Sequence, residues 1–359
     1  MRDVSPGIDR RAMLGGMAAG LGLAGGLLGL SPAAAVPAEV TKYGVPQRGS
    51  SVRALLTGDA GTGTRTQWTV ADAARSVHAR TPFDLAIGLG DNIYETGPNG
   101  PDDTQFADKF ENPNAGLDFP WAMVLGNHDT SSIFPGDGGW LARGNDEVAY
   151  HAKSARWWMP SRYYSVRVPE VAPIVEFFIL DVNPLAAYIP PLLDPYWAVN
   201  GTFMNEQRAW LDQALASSTA QWKIACTHQP YLSNGPHGNA GNYEGLPIEP
   251  LNGVHAKRFF EDHVLGKVSL LLSGHDHTLQ VLEPTVACKG TRQIVSGAAA
   301  KTSSGMPRVG AGTNPEMYYT QSELGFMVLD ATTSSLGLKV MTVDPATGHA
   351  ATAFERRLA

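Results

Sequence analysis

Five apolar runs in this chain stop at a glycine or small polar residue and then present oxygen and nitrogen side chains. They read LLTGDAG to Gly61, AIGLGDNIY to Tyr94, MVLGNHD to Asp129, KIACTHQP to Pro230 and SLLLSGHDH to His277. Short apolar runs closed by turn residues read as buried strands. In open α/β sheets ligands collect beyond the carboxyl ends of strands, so five such turns are expected to face one crevice. Singly, each has an ordinary explanation. Asp59, Asp91 and Asn92 suit turns or caps, Asn127-His128-Asp129 suits a turn, and His228 suits a satisfied core histidine. Two imidazoles straddling Asp276 are harder to explain that way, and five repetitions in one chain point to metal.

The donors also add up. Asp59, Asp91, Tyr94, Asn127, His228, His275 and His277 offer carboxylates, a phenol and an amide oxygen beside three imidazoles, without thiolates. Such a mixture suits a hard trivalent ion beside a borderline divalent one, with Asp91 bridging, rather than a structural zinc site. Metals roughly 3.5 Å apart are the general arrangement for in-line phosphoryl hydrolysis.

Strands are expected at 52–57, 84–89, 121–125, 163–168, 174–180, 222–227 and 268–273, then at 279–282, 293–296, 326–329 and 336–342. Helical periodicity covers 66–78 and 205–217, where Trp210, Leu211, Ala214 and Leu215 mark one buried face. Early alternation of strand and helix predicts parallel pairing, and the strand-rich later part predicts a second, more antiparallel sheet. The whole is a layered α/β sandwich. Long irregular stretches at 131–146, 183–201, 232–252 and 301–323 are expected to rim the pocket. No internal repeat or linker divides the chain, so 51–359 reads as a single domain behind a leader at 36–50.

The formal charge of −7 contains no Lys/Arg-rich run, which argues against nucleic acid or an anionic membrane as partner and favours small substrates. Removing Arg2, Asp3, Asp9, Arg10 and Arg11, together +1, takes it to −8. Two cysteines are too few for a disulfide framework. Cys226 lies in an apolar run and reads as a buried thiol, with a Cys226–Cys288 pair left open.

Residues 1–35 have the layout of a signal peptide. Arg10 and Arg11 precede an uncharged stretch with seven glycines between Met13 and Leu30, and Ala33-x-Ala35 offers a cleavage site. This resembles a twin-arginine signal, which implies the twin-arginine export machinery as a partner and a bacterial protein exported to the periplasm or beyond. A membrane anchor is the alternative, weakened by the glycines, and no cysteine is placed for a lipid anchor.

Gly58-Asp59, Gly90-Asp91-Asn92-Ile93-Tyr94, Gly126-Asn127-His128-Asp129, His228 and Gly274-His275-Asp276-His277 occur in the order of a known pattern. The chain resembles the purple acid phosphatases of the short, tartrate-resistant type, within the calcineurin-like metallophosphoesterases, from about Val52 to about Gly297. The resemblance implies a four-layer α-β-β-α sandwich of two mixed β-sheets flanked by helices. It also implies Fe(III) on Asp59, Asp91, Tyr94 and His277, and divalent Fe, Zn or Mn on Asp91, Asn127, His228 and His275. Tyr94 is the residue that most of the wider superfamily lacks.

The expected reaction is hydrolysis of phosphate monoesters at acidic pH by a metal-bound hydroxide, with a histidine as general acid. His128 is the first choice for the acid, oriented by Asp129 or another carboxylate. His237 is the second choice. Asn127, His128 and His237 are the expected substrate contacts. The remaining histidines carry no functional expectation. A phosphodiesterase or phospholipase would use the same metals, and a noncatalytic phosphate-binding protein is the reading from a different class.

Overall fold

The computed structural model describes residues 40–189, 194–309 and 314–359. The expected signal peptide at 1–35, with Arg10 and Arg11, lies outside the described residues. From residue 40 the leader belongs to the same compact unit as the rest of the chain to Ala359. Tyr43 N donates to Ala155 O at 3.0 Å, and Pro46 O accepts from Glu170 N at 2.9 Å.

Two seven-stranded mixed sheets form the centre. The first contains β1 (Ser51–Thr57), β2 (Leu85–Gly88), β3 (Trp121–Met123) and β4 (Trp157–Trp158), all parallel, extended beyond β1 by antiparallel β12 (Leu324–Thr332), β13 (Leu336–Val343) and β14 (Ala350–Arg357). In the second, β6 (Val175–Ile179), β7 (Trp222–Cys226), β8 (Leu270–Ser273) and β10 (Arg292–Ser296) run parallel. Antiparallel β5 (Tyr164–Val168) flanks β6, while β9 (Leu279–Leu282) and β11 (Glu316–Thr320) close the other edge.

The expectation that the strand-rich later part builds a second, more antiparallel sheet holds for β9, β10 and β11, which join the second sheet with β9 and β11 antiparallel. It is corrected for the last three strands, which return to the first sheet at β1, where Ala54 pairs with Leu329. β14 carries no apolar alternation, because it is a largely exposed edge strand ending in Glu355, Arg356 and Arg357. Charged edges of this kind resist strand addition. β11 falls within a stretch expected to be irregular, α2 (Gly144–Tyr150) begins within another, and α3 (Asn183–Ala186) opens a third.

Side chains alternate faces along a strand, which sorts the second sheet into two cores. Phe177, Ile179, Ile224, Cys226, Leu270 and Leu272 join the large core between the sheets. Phe178, Leu180, Ala225 and Leu271 face outward onto α4 (Thr202–Ser217) and α5 (Val254–Phe259). α1 (Arg65–Arg80) covers the first sheet through Val70, Ala73, Ala74 and Val77, the i, i+3, i+4, i+7 stripe of a buried helical face. The layers are thus helix, sheet, sheet, helix. The buried face of α4 runs through Phe203, Met204, Gln207, Leu211 and Leu215, leaving Trp210 and Ala214 half-exposed. Gln207 fixes that phase, accepting from Asp181 N and donating to Asp181 O, both at 2.9 Å. Cys226 and Cys288 are free thiols, buried in different cores. Among the described residues no helix is long and apolar enough to cross a membrane.

Candidate metal centre

The parallel strands of both sheets end on one side of the sandwich, and the five turns meet there. Asp59 follows β1, Asp91 and Tyr94 follow β2, and Asn127 follows β3. His228 follows β7, and His275 and His277 follow β8. All the oxygen donors hang from the first sheet and all the imidazoles from the second. Close approach dictates the glycines. A Cβ on Gly126 would lie 2.2 Å from Asp91 Oδ1, and one on Gly90, at φ +89°, 2.4 Å from His228 Nδ1.

Two clusters result. In one, Asn127 Oδ1 lies 3.0 Å from both His228 Nε2 and His275 Nδ1, which are 3.3 Å apart. In the other, the Tyr94 hydroxyl lies 3.1 Å from both Asp59 Oδ1 and His277 Nε2. Asp91 stands between them, with Oδ1 3.3 Å from His228 Nε2 and its carboxylate beside the Tyr94 hydroxyl.

The hydrogen bonds behind these atoms test whether a cation fits. His228 Nδ1 faces Leu89 O at 2.8 Å, and a carbonyl can only accept, so that nitrogen carries a hydrogen and Nε2 is the atom turned toward Asn127 and Asp91. Asn127 Nδ2 donates to Gly136 O at 2.8 Å, which turns Oδ1 toward the histidines. Nε2 and the amide oxygen face each other across 3.0 Å; burial disfavours charge on His228, but the Asp91 carboxylate outweighs it and lifts the ring to about 9, so this corner of the site calls for positive charge, which a cation would supply in place of the proton. Burial, with the carboxylates of Asp59 and Asp91, pushes the Tyr94 phenol well above its ordinary range, so a phenolate here needs a strong positive partner. The residues fit a pair of metal ions sharing Asp91.

His128 lies beside this centre. Its backbone N donates to Asp91 Oδ1 at 2.9 Å, and its ring packs on Tyr94 with centroids 4.3 Å apart. His237 packs against His275, centroids 4.2 Å apart with the rings tilted by 32°, and its Nδ1 donates to Glu244 Oε1. Burial disfavours charge on His237, but the Glu244 hydrogen bond and the carboxylates of Asp276, Glu244 and Asp59 outweigh it and lift the ring to about 9.

Asp129 has a different place from the one expected. Its carboxylate is fully buried, accepting from Asn92 N at 2.8 Å, Ile93 N at 2.9 Å and Gly126 N at 2.7 Å. It clamps the turns after β2 and β3 together and makes no bond to His128. The sequence reading also missed four contributors. Glu95 O accepts from His128 Nδ1 at 2.6 Å, with the Glu95 carboxylate 3.8 Å from the same nitrogen. Lys301 Nζ lies 3.7 Å from the centroid of the Tyr94 ring and 3.2 Å from Glu95 Oε1. Asp276 Oδ1 accepts from His237 N at 2.9 Å and its Oδ2 from the Ser233 hydroxyl. Glu244, the partner of His237, is the fourth. Glu95 and Asp276 adjoin named donors in the chain, a signal within reach of sequence reasoning; Glu244 and Lys301 gave none.

A two-sheet sandwich that gathers buried carboxylates, a phenol and imidazoles at its strand ends defines a metallohydrolase. Residues 52–279 match the calcineurin-like phosphoesterase family, and the chain belongs to that family of phosphoester hydrolases. Purple acid phosphatase 4 of Arabidopsis thaliana is 28% identical over 323 residues, covering 87% of this chain and 86% of the relative. Tartrate-resistant acid phosphatase type 5 of Sus scrofa is 29% identical over 223 residues, covering 60% of this chain and 58% of its own length. These homologues imply a dinuclear metal centre. Among solved structures, GAP50, the anchor in the inner membrane complex of Plasmodium, shares the fold with a TM-score of 0.63 at 17% identity, covering 86% of this chain and 89% of that one. PhoD shares it with a TM-score of 0.53 at 14% identity, covering 88% and 73%.

Proposed function

We propose that this protein is a dinuclear-metal acid phosphatase hydrolysing small phosphate monoesters. The observation that carries the reading is the pair of donor clusters joined by Asp91, with two histidines at their edge. Asp59, Asp91, Tyr94 and His277 would hold Fe(III), and Asp91, Asn127, His228 and His275 a divalent Fe, Zn or Mn ion. The bound pair supplies Lewis acidity that activates water and neutralises phosphate charge.

The chain's own residues do the rest. Asn127 spends one amide hydrogen on Gly136 O and keeps the other for a phosphate oxygen. His128, fixed at Nδ1 by Glu95 O, keeps Nε2 for the oxygen of the departing alcohol, to which it gives a proton. His237, favoured as an imidazolium, adds a positive hydrogen-bond donor for the substrate. Glycines and fully buried carboxylates hold the five turns, so the site is assembled before substrate arrives.

The test compares kcat/KM for 4-nitrophenyl phosphate and bis(4-nitrophenyl) phosphate on protein with measured metal content. A clear preference for the monoester is expected. Equal or better diester hydrolysis would make the protein a phosphodiesterase, and tight phosphate binding without turnover of either ester would make it a binding protein. Export through residues 1–35 belongs to the same proposal, supported by Arg10-Arg11 ahead of the glycine-rich apolar stretch. Replacing both arginines with lysine is expected to retain the protein in the cytoplasm.

A further inference from the structure

Six non-glycine residues adopt a left-handed backbone among the described residues: Asp59, Asp91, Ala172, Glu244, His275 and Lys289. Three of them are candidate metal donors. That conformation costs roughly 1–2 kcal/mol in an L-residue, and such outliers persist where the surroundings impose them, often at functional sites. Glu244, at φ 57° and ψ 10°, is not among the seven donors, yet its carboxylate ends on the ring of His237 and lies within 4.8 Å of a His275 nitrogen.

The pose is over-determined. Glu244 N donates to His237 O at 2.9 Å, Glu244 Oε1 accepts from His237 Nδ1, and the same oxygen accepts from the Tyr188 hydroxyl. The loop carrying His237 is anchored without Glu244. Asp276 takes His237 N and the Ser233 hydroxyl, and Asn239 Oδ1 takes Ser233 N at 2.8 Å and Asn314 Nδ2 at 2.8 Å. What Glu244 adds is control of the ring itself. With Nδ1 engaged and one face against His275, the imidazole retains a single free nitrogen, Nε2.

We propose that Glu244, braced by Tyr188, is a positioning residue that fixes the rotation of the His237 ring so that Nε2 meets the substrate phosphoryl group. The assignment rests on the phosphatase reading above and adds to it a residue that acts through His237 rather than on the substrate.

A double-mutant cycle tests it. H237A and E244A are each expected to lower kcat/KM for 4-nitrophenyl phosphate about tenfold, and the double variant to be no worse than H237A, because residues acting as a unit are non-additive. E244Q, which keeps an acceptor for Nδ1, is expected to recover most of the loss, and Y188F to show a smaller one. Metal content and melting temperature are measured for every variant and are expected to match wild type. Wild-type activity in E244A, multiplicative losses in the double variant, or losses that track lost metal would each overturn the proposal. Calorimetric affinity for inorganic phosphate is measured through the same cycle. An inactive wild type therefore fails the phosphatase reading, while additive or absent effects on phosphate affinity fail the role of Glu244.

Discussion

The imidazole Nδ1 of His128 lies 2.6 Å from the carbonyl oxygen of Glu95. Because that bond uses backbone, it sets the ring's tautomer and direction whatever side chain stands at Glu95. His128→Ala is expected to lower turnover about 10²–10⁴-fold with both metals retained, as for removal of a general acid. Single-turnover kinetics with metal analysis checks this; undiminished turnover across the pH range would remove His128 from the reaction. Glu95→Gln is expected to have a far milder effect.

Tyr94 is expected to report directly on its metal. In protein carrying ferric iron, Tyr94→Phe should abolish the visible charge-transfer band while Asp59 and His277 remain in place. A band that survives the substitution would show that the phenol is not a ligand.

Glu147 and Asp129 form a buried acidic pair beside Asn92, whose amide donates to Glu147 Oε2 at 2.9 Å and Asp129 Oδ2 at 3.2 Å. Burial and then Asp91 raise Asp129 to about 7, and burial and then Asp129 hold Glu147 well above the usual carboxylate range. The folded pair therefore keeps protons that the unfolded chain releases near pH 4, so stability falls as pH rises from about 4 through 7, by at most about 1.4 kcal/mol per pH unit for each proton. Glu147→Gln keeps the acceptor for Asn92 and offers Asp129 a donor. It is expected to flatten that slope and stabilise the protein at pH 8 in urea titrations; an unchanged slope would place the pH dependence elsewhere.

Asp181, at the end of β6, forms a fully buried ion pair with Arg162 at 2.7 Å and accepts from Asn183 N at 3.0 Å. Asn183 in turn donates to Leu125 O at 3.1 Å and accepts from Gln229 at 2.9 Å, tying together the turns that carry Asn127 and His228. Asp181→Ala strands the Arg162 cation and is expected to cost about 3–5 kcal/mol. Adding Arg162→Met should recover part of that loss in chemical denaturation, since the stranded charge goes with it.

The chain announced its site because each donor follows its own strand within a few residues, so apolar run and ligand are read in one window. The parallel strands were legible for the same reason. Where the sequence was silent, the partners are distant. Glu244 meets His237 only because the loop doubles back, and Lys301 reaches Tyr94 from beyond β10. Asp129 looked catalytic because it adjoins His128, yet side chains of neighbouring residues in a turn diverge, and its carboxylate serves the backbone of the preceding turn. β4 is two residues long, and β14 has an exposed edge without periodicity, so neither carries a pattern. The return of β12 to β1 is a matter of topology that local hydrophobic order does not encode.

The partition of donors, oxygen on one sheet and nitrogen on the other, bears on when the ions enter. While the two slabs are apart, each offers only one ligand chemistry, and a site of mixed oxygen and nitrogen donors exists only once they have met. An ion held by Asp59 together with His277, or by Asn127 together with His228, would therefore tie one slab to the other and act as a latch on the finished sandwich.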